Sequence, residues 1–201
     1  LDLAKSIARM LGKAEDCNNN DLYLNAVNTI YKHDPSYTSA YYLFRLYSAK
    51  GDIDNAIKYM EEAINSPESD TETDAGYWFE LASVCMNNNM SGKAFSSAEK
   101  AIEMSDTFDG KAYMLMGQLW ASAPCSGEIG SRAKFWVATD FMVKAKNADP
   151  SLTEAADRAI GQYRAYFPKT DVAFMYDLIN GQGYTVSCGG MRASTTVRTN
   201  R

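Results

Sequence analysis

The sequence predicts a mostly α fold, an α-α superhelix of stacked helical hairpins closed by C-terminal capping helices and a small β-hairpin. Three observations predict it. Apolar residues recur at three-and-four spacing in paired segments, the pattern of helices that bury one face. Small residues return in corresponding places along the chain, at Ala63, Ala101 and Ala145. The last stretch changes to period two on either side of Gly189-Gly190, as two strands joined by a tight turn would.

The first hairpin is a degenerate one. Ala4, Ile7, Ala8 and Leu11 mark one helix, and Leu24, Val27, Ile30 and Tyr31 mark the next, closed by Asp34-Pro35. Proline disfavours helix in the residue before it and so forces the exit. His33, just ahead of that exit, reads as a C-terminal helix residue favoured by the dipole, with no nucleophile in reach to make it a catalytic base.

Tyr37 to Ala49 and Ile53 to Ile64 form the second hairpin, joined by Lys50-Gly51-Asp52, where glycine supplies a left-handed cap. Ile53, Ala56, Ile57, Met60, Ala63 and Ile64 lie on one face. Trp78, Leu81, Ala82 and Cys85 begin the third, with a polar turn at Asn87-Asn88-Asn89 and Ala94, Phe95, Ala98, Ala101 and Ile102 on its partner helix. The fourth reads Tyr113, Met116, Gly117 and Trp120, then Phe135, Ala138, Met142 and Ala145 before Asp149-Pro150. The small residues let paired helices approach closely while aromatic neighbours fill the remaining space. On that argument Ala56, Ala63, Trp78, Ala82, Ala94, Ala101, Tyr113, Gly117, Ala138 and Ala145 are the repeat-packing residues. Phe44 stands where a small residue is expected, which predicts looser packing or smaller neighbours around it.

An aromatic residue, then Leu-small, then a second aromatic, followed by a turn and a helix with two spaced alanines, resembles the tetratricopeptide repeat, whose period is about 34 residues. The intervals here are longer. Insertions at Ser66 to Thr73 and Ser122 to Ser131 account for the excess. The resemblance implies repeats over 1–150, divided near 1–36, 37–72, 73–109 and 110–150, with 151–201 as capping helices and hairpin. It also implies a non-catalytic scaffold that binds a protein or peptide on the concave face lined by the first helices. Carried over residue by residue, the contacts are Tyr41, Arg45, Phe79, Ser83, Met86, Met114 and Gln118. Some members of the family grip a terminal carboxylate with Lys and Asn at these places. This sequence offers aromatic and thioether surface instead, so the expected partner is held by apolar side chains, with Arg45 fixing one acidic group.

After Pro150, Ser151-Leu152-Thr153-Glu154 reads as a capping box opening a helix to about Tyr166, with Ala155, Ile160 and Tyr163 for burial. A short helix follows through Val172, Phe174, Met175 and Leu178, capped by Thr170 or Asp171 and stopped by Asn180-Gly181. Pairing across the two-residue turn sets Cys188 against Met191, Val186 against Ala193 and Tyr184 against Thr195. A lone hairpin is marginal in water, so its apolar face should dock on the preceding helices. This C-terminal part, from Arg132-Ala133-Lys134-Phe135-Trp136 to Thr195-Thr196-Val197-Arg198, looks like the end of uncharacterised tetratricopeptide proteins of Bacteroidetes-type bacteria, which implies a periplasmic or cell-envelope location.

Composition removes several function classes. The 201 residues carry a net charge of −5, which gives no basic surface for a polyanion, so nucleic acid is not an expected partner. No apolar stretch approaches the roughly 20 residues that span a bilayer. The chain opens Leu1-Asp2-Leu3 without a basic and apolar leader, so it reads as a soluble fragment of something longer, any signal peptide having been removed. Cys17, Cys85, Cys125 and Cys188 are far apart and His33 is the only histidine, so neither a metal nor a cofactor is expected. If the protein is exported, Cys125 and Cys188 could bond and pin the tail to the last repeat. Asp140 and the acids of the second helices read as solvated faces, and Gly181-Gln182-Gly183 lacks the strand-and-helix setting of a dinucleotide site. Two rival functions remain at this stage: a glycan-binding nutrient-uptake component of the envelope, and an accessory repeat domain of an enzyme whose catalytic part lies elsewhere.

Overall fold

The computed structural model describes residues 1–11 and 20–200; Cys17 lies outside them. Among the described residues the chain forms ten α-helices and one two-stranded antiparallel sheet, in two compact units, Leu1–Leu81 and Ala82–Arg201.

The first unit holds α1 (Asp2–Leu11), α2 (Asp21–His33), α3 (Tyr37–Lys50), α4 (Ile53–Ile64) and the beginning of α5 (Thr71–Asn87), within which the division falls. Local chemistry sets the helix ends. The Asn20 side chain accepts from the Leu22 and Tyr23 amides, and Ser36 forms a reciprocal capping box with Ser39. Gly51 sits at φ +74°, where a side chain would be strained, and Asp52 then caps α4 by accepting from the Asn55 amide. The helices pair α1 with α2, α2 with α3 and α3 with α4. Their core gathers Tyr23, Val27, Leu43 and Leu46, with Tyr31, Tyr47 and Tyr59 packed against it. Each such aliphatic side chain contributes roughly 1.5–3 kcal/mol by leaving water. Phe44 is fully buried, so the bulk expected to loosen this hairpin is absorbed into its interior.

The second unit continues with α6 (Ser91–Met104), α7 (Asp109–Ser122), α8 (Glu128–Ala148), α9 (Thr153–Arg164) and α10 (Thr170–Phe174), then β1 (Gly183–Cys188) and β2 (Met191–Thr196). Asn89 takes φ +60° in the α5–α6 turn, where the Met90 amide reaches back to the Cys85 carbonyl. Ala82, Ala94, Ala101, Ala138 and Ala145 are fully buried, as are Ala56 and Ala63 in the first unit, while Trp78 and Tyr113 are half-buried. Gly117 is where α7 meets α8: a Cβ there would stand 2.8 Å from Met142 Cε and 3.2 Å from the Ala138 carbonyl oxygen. The strands pair in the expected register, Cys188 with Met191, Val186 with Ala193 and Tyr184 with Thr195.

Two tail expectations are corrected. The Ser151-based capping box does not form; the Asp149 carboxylate accepts from the Ser151 amide and hydroxyl, and Pro150–Leu152 makes a 3-10 turn before α9. Proline at the first position suits a cap on the residue before it, and the shift in phase buries Ala156 while leaving Ala155 exposed. The next helix is also shorter than expected. α10 ends at Phe174, Asp177 turns the chain at φ +55°, and Phe174 and Met175 point into solvent at 80% and 77% exposure.

Candidate functional site

In the first unit a groove of about 390 Å³ opens between α1, α2 and α3, with Tyr23, Val27 and Ile30 on its floor and Ala8, Arg9 and Tyr42 at its edges. Tyr42 is 45% exposed there. Burial, and secondarily Tyr42, push the Tyr23 phenol above its ordinary value, while Arg45 pulls it down. Arg45 is exposed and does not line the groove, but its charge acts on the Tyr23 phenol. Apolar floor, phenolic edges and guanidinium charges suit an extended or helical segment with apolar side chains and an acidic group.

Tyr41, one residue from Tyr42, points elsewhere. Its ring stacks on Tyr77 of α5 with centroids 4.6 Å apart, and its hydroxyl donates to Glu80 at 2.8 Å. Desolvation first and the Glu80 bond second hold its phenol at about 12; desolvation raises Tyr77 to about 12 as well. Phe79 is half-buried on the same helix. Of the expected contacts in the first unit, the structure joins Tyr41 to α5 and leaves Arg45 exposed, outside the lining of the groove.

In the second unit Ser83 and Met86 are half-buried and Gln118 is exposed. Met114 packs against Met142, Ala156 and Ile160, so it helps hold α7 and the C-terminal helices together. Two features stand out that the residue pattern did not indicate. One is an aromatic shelf: Phe135 stacks on Tyr166 at 4.4 Å and lies 5.7 Å from Tyr163, beside a cavity of about 620 Å³ that Gln162 also lines. Tyr166 is 54% exposed. The other is Asp140, which is no solvated face. It is half-buried, accepts from the Thr195 hydroxyl at 2.5 Å and forms an ion pair with Arg198. The correction has a physical reason: β2 and the residues after it lie along α8, supplying partners more than fifty positions away in sequence.

Trp136, fully buried on α8, donates its indole N–H to the Arg198 carbonyl at 2.8 Å and meets the Tyr184 ring edge-on at 5.6 Å. Val186, Met191 and Val197 are buried on the docked face. At the hairpin tip Cys188 is bonded to Cys125 in the α7–α8 turn, with Cα atoms 5.1 Å apart; Cys85 is a buried thiol. Among the described residues no cluster of three or more His, Cys, Asp or Glu gathers as metal ligands, and no helix is long and apolar enough to cross a membrane.

Residues 45–70 and 75–108 match the family model of the tetratricopeptide repeat. Among solved structures, the chain is similar to one described as the crystal structure of MamA protein, with 19% identity over 83% of this chain and 84% of that one and a TM-score of 0.60. A second crystal structure of MamA gives 21% identity, coverage of 82% and 84%, and a TM-score of 0.58. No match is found among curated proteins. Residues 45–70 and 75–108 thus match the tetratricopeptide repeat, within a chain that has a tetratricopeptide-repeat fold.

Proposed function

We propose that the protein is a non-catalytic scaffold that binds a partner peptide or protein, with the groove between α1, α2 and α3 as its principal contact. The observation that carries the reading is the open apolar groove of the first unit, with Tyr42 on its edge and Arg45 nearby. Tyrosine and arginine beside a desolvated apolar floor are the residue types that carry most binding energy at protein interfaces. The second unit contributes exposed Gln118 and half-buried Met86 and Ser83 on its own first-helix surfaces.

The bacterial envelope is the proposed location. The likeness of the tail to proteins of Bacteroidetes-type bacteria supports it, as does the bonded pair Cys125–Cys188, because disulfides persist in oxidising compartments. Thiol titration of unreduced, denatured protein should find two free thiols among the four cysteines; four would argue for a reducing compartment.

The binding test is a selection of a random twelve-residue peptide library against the whole chain, followed by anisotropy on the recovered peptides. Tyr42→Ala should weaken them about tenfold, the scale of an interface anchor. Undiminished affinity in Tyr42→Ala and Arg45→Ala would contradict the groove reading. One observation favours a second reading, a glycan-binding envelope component: the shelf of half-buried Phe135 and exposed Tyr166 with Gln162 beside it. A glycan array answers that directly, since Tyr166→Ala should abolish any hit made by the shelf.

A further inference from the structure

The outer edge of β2 is unequal along its length. Gly189 and Gly190 take φ of +61° and +75°, the two-residue turn that makes Cys188 and Met191 a hydrogen-bonded pair. Bonded and unbonded pairs alternate from there, so the backbone groups of Met191, Ala193 and Thr195 face β1, and those of Arg192, Ser194 and Thr196 face outward. Farther on, that outward edge is covered. The Arg198 carbonyl accepts from Trp136, and the Asn200 backbone bonds to Pro168 and Thr170. At Arg192, Ser194 and Thr196 no hydrogen bond among the described residues occupies it.

A cleft of about 600 Å³ opens along this uncovered edge, walled by α6 and α8. Its apolar side is Phe95, Val137, Phe141 and Val143. Its cations are Lys144, Arg192 and Arg198, and its acids are Asp140 and Glu99. Arg198 is already committed to Asp140. Desolvation, then the charge of Glu103, lifts the Glu99 carboxyl above the usual carboxylate range. Lys144 lies 5.0 Å from the Phe141 ring centroid, and neither it nor Arg192 has a carboxylate partner among the described residues. The cleft therefore offers unpaired backbone groups, an apolar wall and two uncommitted positive charges.

We propose that this cleft receives an extended acidic segment of a partner protein, which adds to β2 as a third strand at Arg192–Thr196 and sets its carboxylates against Lys144 and Arg192. Backbone pairing supplies affinity without regard to side chains, and the flanking charges select an acidic sequence over a basic one. Five residues of strand present roughly 16 Å of edge at about 3.3 Å per residue. Exposed edges are commonly protected by charge. Here Arg192 on the edge and Lys144 in the cleft have no carboxylate partner among the described residues, so they invite a complementary chain as well as discouraging self-pairing.

The test uses the whole chain and a fluorescein-labelled, acetylated eight-residue peptide of alternating valine and glutamate, with a valine–lysine peptide as control, read by anisotropy. The glutamate peptide should bind and the lysine peptide should not. Lys144→Glu with Arg192→Glu should weaken binding about tenfold or more through lost complementarity. Ser194→Pro removes an edge N–H that serves no internal bond and should weaken it about as much, while circular dichroism and the thiol count stay unchanged. Tyr42→Ala should have no effect. Equal binding of the two peptides, no binding of the glutamate peptide, or full affinity in a folded Ser194→Pro protein would each overturn the proposal. Should Ser194→Pro disturb the fold, the charge-reversal pair decides alone.

Discussion

The α3–α4 hairpin of the first unit and the C-terminal region of the second are held by interactions of different range. In α3–α4 the decisive contacts are local: Ser36 with Ser39, Gly51 at its left-handed φ, Asp52 with Asn55, and Tyr47 stacked on Tyr59 at 5.4 Å across one short turn. In the tail they are distant. Trp136 bonds to Arg198, Asp140 to Thr195, and Cys125 to Cys188 across 63 positions. A hairpin built of local terms forms from its own sequence, whereas a two-stranded sheet stands only because α8 supplies a surface and anchors for it.

The sharpest way to break that contrast is Trp136→Ala. It deletes a fully buried indole and its bond to Arg198, and should cost about 3–5 kcal/mol in urea unfolding of the second unit. Amide exchange should rise in β1 and β2 while α3 and α4 keep their protection. Next in size is Cys125→Ser, which reopens a long loop and should cost about 2–4 kcal/mol, again without touching α3–α4. An unchanged unfolding midpoint in that variant would mean the hairpin is held by α8 alone. A smaller effect is expected in the local hairpin. Gly51→Ala strains the left-handed position and should cost about 1 kcal/mol.

The mildest prediction concerns pH. Tyr31, raised chiefly by its bond to Glu62, and Tyr41 and Tyr77, raised chiefly by desolvation, stand at about 12 in the fold against an ordinary 10.0. A raised folded value means the native state holds the proton more tightly. The contribution is therefore complete below pH 10 and lost as pH climbs through 12. Absorbance titration of phenolate should show these three lagging the exposed tyrosines, and Glu80→Gln should bring Tyr41 down toward the rest.

What the sequence made legible follows the same division. The αL glycine and the strand register were readable because each depends on neighbours within a few residues or on a fixed turn length. Asp140 was not. Its carboxylate looks solvated in a list of helix-face residues, and only the return of the chain at Thr195 and Arg198 converts it into an anchor. The groove was not legible: Tyr42, which lines it, was passed over for Tyr41, because the family pattern specifies a position on the helix and not which of two neighbouring rings α5 will engage. The end of α10 depended on Asp177 adopting a left-handed φ, for which the sequence carries no glycine.

The partner-binding reading is tested most directly by hydrogen exchange of the full chain with and without a library-selected peptide. Protection should increase across α1, α2 and α3, centred on the peptic fragments that contain Tyr23, Val27 and Tyr42. Protection confined to α7, α8 and α9, or no change anywhere at saturating peptide, would contradict it.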